Sequence, residues 1–135
     1  MGLPDFTEDG ILPPGLHLAT LEDVVRRFGE PSLQRQAIAE SLAWAIRAAR
    51  RAGVVRFVVD GSFVDAKSDP NDVDCVLLLA EDYPRDRAAA REIEEGFPYV
   101  EMIFFEVAAD FERFLRRQFE TDRLGRQRGL VEIDL

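Results

Sequence analysis

The run Val58-Val59-Asp60-Gly61-Ser62-Phe63-Val64-Asp65-Ala66-Lys67-Ser68-Asp69-Pro70-Asn71-Asp72-Val73-Asp74-Cys75-Val76-Leu77-Leu78-Leu79 decides how this chain folds. An apolar strand ends in a Gly-Ser turn, a polar loop follows, and two aspartates flanking a valine open a second apolar strand. Side chains two apart on a strand point to one face, so Asp72 and Asp74 present paired carboxylates. Magnesium favours one or two such carboxylates together with phosphate oxygens. Gly61 lets backbone approach a ligand with no Cβ between them, and the Ser62 hydroxyl and turn amides can donate to phosphate oxygens. If the two strands are antiparallel or closely paired, turn and acids meet at one edge of a sheet.

Outward from this run, the elements fall into an α+β or α/β order. Residues 1–19 carry Pro4, Gly10, Pro13, Pro14 and Gly15 and are expected to form an extended N-terminal arm, neither helix nor strand. Thr20 is an N-cap for a short helix through Val24, Val25 and Phe28, closed by Gly29. Pro31-Ser32 opens a longer helix whose stripe is Leu33, Ala37, Ile38, Ser41, Leu42, Ala45, Ile46 and Ala49, stopped by Gly53. Strands are expected at 54–60 and 73–80, the second apolar enough to be buried on both faces. An exposed helix over 85–95, a strand over 99–107, a helix over 111–120 capped by Asp110, and a short strand over 130–133 complete a sheet of about four strands flanked by helices.

At 135 residues the expectation is a single domain. Hydrophobic content of 47% against 32% charged residues fits a globular fold. No run of about 18 apolar residues is present, so no membrane span is expected. The amino-terminal residues lack the basic start and apolar centre of a signal peptide. The single cysteine, Cys75, permits no intrachain disulfide, and a cytoplasmic location follows as the expectation. A net charge of -9 disfavours broad nucleic-acid binding, which depends on neutralising phosphates. The sole histidine, His17, disfavours multi-histidine zinc sites and Ser-His or Cys-His nucleophiles; it reads as a structural hydrogen-bonder beside Pro13-Pro14. Asp60, Asp65 and Asp69 read as turn and surface residues, and Trp44 as partly buried packing or interface. The arginines of the last quarter read as a solvated face, with Arg126 or Arg128 the alternative as triphosphate contacts.

Two-metal phosphoryl transfer calls for a third acid on a neighbouring strand. Glu101 and Glu106 are available on the third strand; Glu101, near its start, is preferred. Haloacid-type phosphatases and DxD sugar transferases place their acids after the apolar strand, opposite to the order here.

Gly61-Ser62, Asp72-x-Asp74 and a later strand acid resemble the nucleotidyltransferase superfamily that includes DNA polymerase beta and the minimal nucleotidyltransferases. A closer resemblance, over nearly the whole chain, is to a prokaryotic family of small nucleotidyltransferase-like proteins. It is carried by Gly10-Ile11-Leu12-Pro13-Pro14-Gly15-Leu16-His17, Phe28, Asp60-Gly61-Ser62-Phe63-Val64, Lys67, Pro70-Asn71-Asp72-Val73-Asp74 and Arg128-Gly129-Leu130-Val131. The resemblance implies a nucleotidyltransferase-like fold with Gly61, Ser62 and Lys67 at the nucleotide, and Asp72, Asp74 and Glu101 as catalytic acids holding two magnesium ions. A nucleoside triphosphate would be the donor and a hydroxyl group the acceptor of a nucleoside monophosphate. The alternative is a weakly active or inactive member serving as a partner-binding regulator or antitoxin-type subunit, with a protein partner or homodimer implied. Two departures stand out: the third acid is usually aspartate in the superfamily, and the loop cation is usually arginine in the minimal enzymes.

Overall fold

The computed structural model describes residues 3–66, 69–120 and 127–135. Its elements are β1 (Gly15–Ala19), α1 (Leu21–Phe28), α2 (Leu33–Ala52), β2 (Val54–Asp60), a single 3-10 turn (Ser62–Val64), β3 (Val73–Leu79), α3 (Arg87–Glu95), β4 (Val100–Phe105), α4 (Ala108–Glu120) and β5 (Gly129–Ile133). This is an α+β architecture built on one mixed sheet of five strands in the order β1-β5-β2-β3-β4. The outer pairs β1–β5 and β3–β4 are parallel, and β5–β2 and β2–β3 are antiparallel.

The fifth strand corrects the expectation of about four. Gly15–Ala19 does not remain a free arm but pairs residue for residue with Gly129–Ile133. His17 Nε2 lies 2.7 Å from the Pro13 carbonyl and secures the entry to β1, the structural role expected of it. The prolines masked the strand because they halt a ladder, yet they sit just outside it, on an edge where a ladder can begin.

Alternation along the strands divides the core into two. Phe57, Val59, Cys75, Leu77, Val131 and Ile133 face α1 and α2, joining Val24, Phe28, Ile38, Leu42 and Ile46. Val58, Val76, Leu78 and Leu130 face the other way, under Phe111 and Leu115 of α4. The β3 run is thus covered on both sides, as its unbroken hydrophobicity predicts.

The helices begin and end largely where their caps dictate. Thr20 and Asp23 form a reciprocal capping box at α1, and Ser32 caps α2, which ends at Gly53 in the left-handed conformation. Leu33, assigned to the buried stripe, instead lies 82% exposed in the first turn of α2, and Arg35 takes the buried position. The helix of 87–95 is exposed along most of its surface, as expected, while Ala89 and Ile93 pack on Ala48 and Ala52 of α2. Asp110 lies inside α4, whose first turn is closed by the Val107 carbonyl accepting from the Asp110 and Phe111 amides. Trp44 is half exposed on α2. None of the described helices is long and apolar enough to cross a membrane.

Where β1 and β5 begin, Gly129 is pressed against the Pro13 turn. A Cβ there would lie 2.2 Å from the Pro13 carbonyl oxygen and 2.8 Å from His17 Nε2. Gly129→Ala is therefore expected to force the two strands apart and cost about 1–3 kcal/mol, read as a lowered midpoint in urea unfolding.

Candidate metal centre

The pairing of β2 with β3 sets Asp60 directly opposite Asp74, and the pairing of β3 with β4 sets Asp74 opposite Glu101. Three carboxylates therefore meet at the same end of the central strands. Asp72 adds a fourth from two residues before Asp74, on the same face. Asp72, Asp74 and Glu101 offer oxygens that all lie within 4.8 Å of one another, a cluster able to hold a divalent cation. Ligand oxygens about 2.1 Å from an octahedral ion stand roughly 3–4 Å apart, so small side-chain rotations close the shell.

Glu106 does not take part. It lies past the end of β4 and lines a hollow of about 550 Å³ with Leu78, Glu81 and Arg85 at the opposite end of the strand. The third acid is thus placed by the parallel β3–β4 ladder, in which Val73 starts opposite Val100. The turn before β4 fixes that start. Tyr99 adopts a positive φ of 64° and its carbonyl accepts from the Val73 amide at 2.8 Å.

Gly61 abuts the cluster. Its φ of 85° and its position leave no room for a side chain, since a Cβ would lie 2.3 Å from Asp74 Oδ2. The Gly61 amide donates to the Asp60 carboxylate at 2.6 Å. Ser62 follows directly and opens the 3-10 turn. Lys67 lies outside the described residues, as does Arg126.

Asp60 is buried, contrary to its reading as a surface residue, and Arg128 pairs with it at 3.0 Å. The sequence signal was available in principle: an acid ending a strand that is otherwise buried has to meet a cation or lose its charge. Burial raises the Asp60 carboxyl above its ordinary range, with Arg128 opposing. Asp74 is pushed up to about 6, first by burial and then by the neighbouring Asp72, Asp60 and Glu101 carboxylates. Repulsion of this kind is what a bound cation relieves.

Sequence reasoning missed Arg35 altogether. Its guanidinium, 3% exposed, donates to the carbonyls of Phe28 at 3.1 Å, Phe63 at 2.7 Å, Ser62 at 3.3 Å and Asp65 at 2.9 Å. Burial lowers its pKa, while Asp65 and Asp69 act in the other direction. Arg35 thereby ties the turn after Gly61 to the first turn of α2. A planar fork can reach several carbonyls at once; a lysine ammonium cannot.

The result is an α+β domain with a carboxylate cluster at the end of its central strands, beside a glycine turn locked from below. Over residues 4–134 the chain belongs to DUF6932, a family of unknown function. No curated protein and no solved structure matches it.

Two outcomes follow from this electrostatic arrangement. The folded chain keeps the Asp74 proton until about pH 6, whereas the unfolded chain gives it up near 3.8. The cation-free protein should thus lose stability as pH rises from about 4 to about 6. Asp74→Asn should raise stability by about 1 kcal/mol at pH 7, allowing for the group's partial exposure, and by little at pH 4; thermal melts across this range check it. Arg35→Met, which leaves buried carbonyls without donors, should cost about 3 kcal/mol, with Arg35→Lys intermediate, both measured by urea unfolding.

Proposed function

We propose that this protein is a magnesium-dependent nucleotidyltransferase that moves a nucleoside monophosphate from a nucleoside triphosphate to a hydroxyl acceptor. The observation that carries the reading is the convergence of Asp72, Asp74 and Glu101 beside the Gly61 turn. Three carboxylates, from β3, the residue before it and the parallel strand β4, fit the oxygen-rich, partly open shell that magnesium prefers. Magnesium, when bound, supplies Lewis-acid stabilisation for charge developing on the transferred phosphoryl group.

The residues of the chain divide the remaining work. Asp72, Asp74 and Glu101 would hold the ions, and the Ser62 hydroxyl and neighbouring amides would orient the outer phosphates. Arg35 would keep that turn at a fixed height over the acids. Without a cation, the end of the sheet sets four carboxylates, Asp60, Asp72, Asp74 and Glu101, against the Arg128 guanidinium. A triphosphate would be repelled from it, so nucleotide binding should depend on the divalent ion.

The exposed Leu16 and Leu18 of edge strand β1 and the half-exposed Trp44 favour a second reading. In it the same domain acts chiefly as a partner-binding regulator or antitoxin-type subunit, with little or no transfer chemistry. Incubation with labelled ATP, GTP, CTP or UTP separates the two. Magnesium-dependent nucleotide binding and transfer should occur in the native chain. The Asp72→Ala/Asp74→Ala variant should lose transfer by about 100-fold or more while melting no lower than the native protein. Absence of nucleotide binding by the native chain at millimolar magnesium would overturn the enzyme reading.

A further inference from the structure

Beside the carboxylate cluster lies a cavity of about 310 Å³. Asp74 and Glu101 belong to both, so the cluster forms one end of the cavity. Beyond the acids its character changes. Ile103 follows Glu101 on the same face of β4 and is 47% exposed. Phe114 and Gln118, one helical turn apart on α4, also line it. The Phe114 ring is steadied by Phe105, with centroids 5.4 Å apart. Arg128 lines this cavity and also a smaller one beside Gly61 and Val64, and so stands between the glycine turn and the apolar end.

We propose that this cavity receives the nucleoside end of the nucleotide whose phosphates are held at the acids, an inference that rests on the reading above. Its volume is near the lower limit of small-molecule sites, about 300 Å³, which suits a single base with its sugar and excludes a folded partner. Its chemistry is that of a planar heterocycle. An aromatic ring and a branched aliphatic side chain supply surfaces for a flat face, and one primary amide supplies both a donor and an acceptor for the edge. A carbohydrate would call for several polar side chains, and among the described residues the apolar end carries only Gln118. Continuity fixes the orientation: phosphates toward Asp74 and Glu101, base toward Phe114, with Arg128 at the junction.

Calorimetry in magnesium buffer, comparing the four nucleoside triphosphates with inorganic tripolyphosphate, tests this. The native chain should bind at least one nucleotide about 10-fold or more tightly than tripolyphosphate. Gln118→Ala should reduce preference among the four bases by about 3–10-fold, and Ile103→Ala should weaken all four by a similar factor, with tripolyphosphate unaffected in both. Transferred proton–proton contacts between the base and the Phe114 ring in the native chain decide the matter even if a variant unfolds. Equal affinity for nucleotides and tripolyphosphate, or absence of contacts to Phe114, would overturn the cavity assignment and leave the cation and phosphate site standing. Failure of both ligand types to bind would instead bring down the nucleotidyltransferase reading, and this assignment with it.

Discussion

The in-register antiparallel pairing of β2 with β3, which sets Asp60 against Asp74, is the constraint on which everything else rests. Strand side chains alternate, so a slip by one residue would turn Asp74 into the α1–α2 core and bring Cys75 to the open end. The hydrophobic pattern prohibits that slip. Phe57, Val59, Cys75 and Leu77 must face α2, and once they do, the acids at the strand ends have no choice of side. The core does not merely support the site; its periodicity selects the orientation of the carboxylates.

Burial at this end of the sheet works against the charges it gathers. Asp60 and Asp74 both have raised carboxyl pKa values, led by desolvation, and the Arg128 guanidinium is held by Asp60. A purely structural solution would have placed apolar residues at these positions. The chain instead holds several acids close together and braces the adjoining turn through Arg35. The backbone at Tyr99, in a conformation that bulky residues seldom adopt, sets the start of the strand bearing Glu101. Local disfavour is thus concentrated at one end of the sheet and compensated by rigid surroundings.

Much of this was legible in the sequence because it depended on local chemistry. Thr20, Ser32 and Gly53 mark helix ends by hydrogen bonding within a few residues, and the position of Asp72-x-Asp74 at the head of an apolar run places them without tertiary information. What escaped was non-local. β1 exists because it meets β5, more than a hundred positions later, and no pattern within 15–19 outweighs the prolines beside it. Arg35 resembles any solvent-facing arginine until the turn at 62–65 is brought over it. Asp60 resembles an ordinary turn acid until Arg128 arrives from the far end of the chain. Glu101 could be preferred over Glu106 for lying near the start of its strand, but the β3–β4 register that sets it opposite Asp74 is not encoded locally.

The position of β5 between β1 and β2 makes the sheet and its acidic end depend on one short segment. Without β5, Asp60 would lose its Arg128 neighbour and β1 would have no strand to lie against. Insertion of Gly129–Ile133 closes the sheet and delivers Arg128 to the acids in one movement. Pairing of the sheet and neutralisation at its acidic end are thus tied to the same five-residue strand, and a chain cut before residue 128 would carry the acids without this counter-charge.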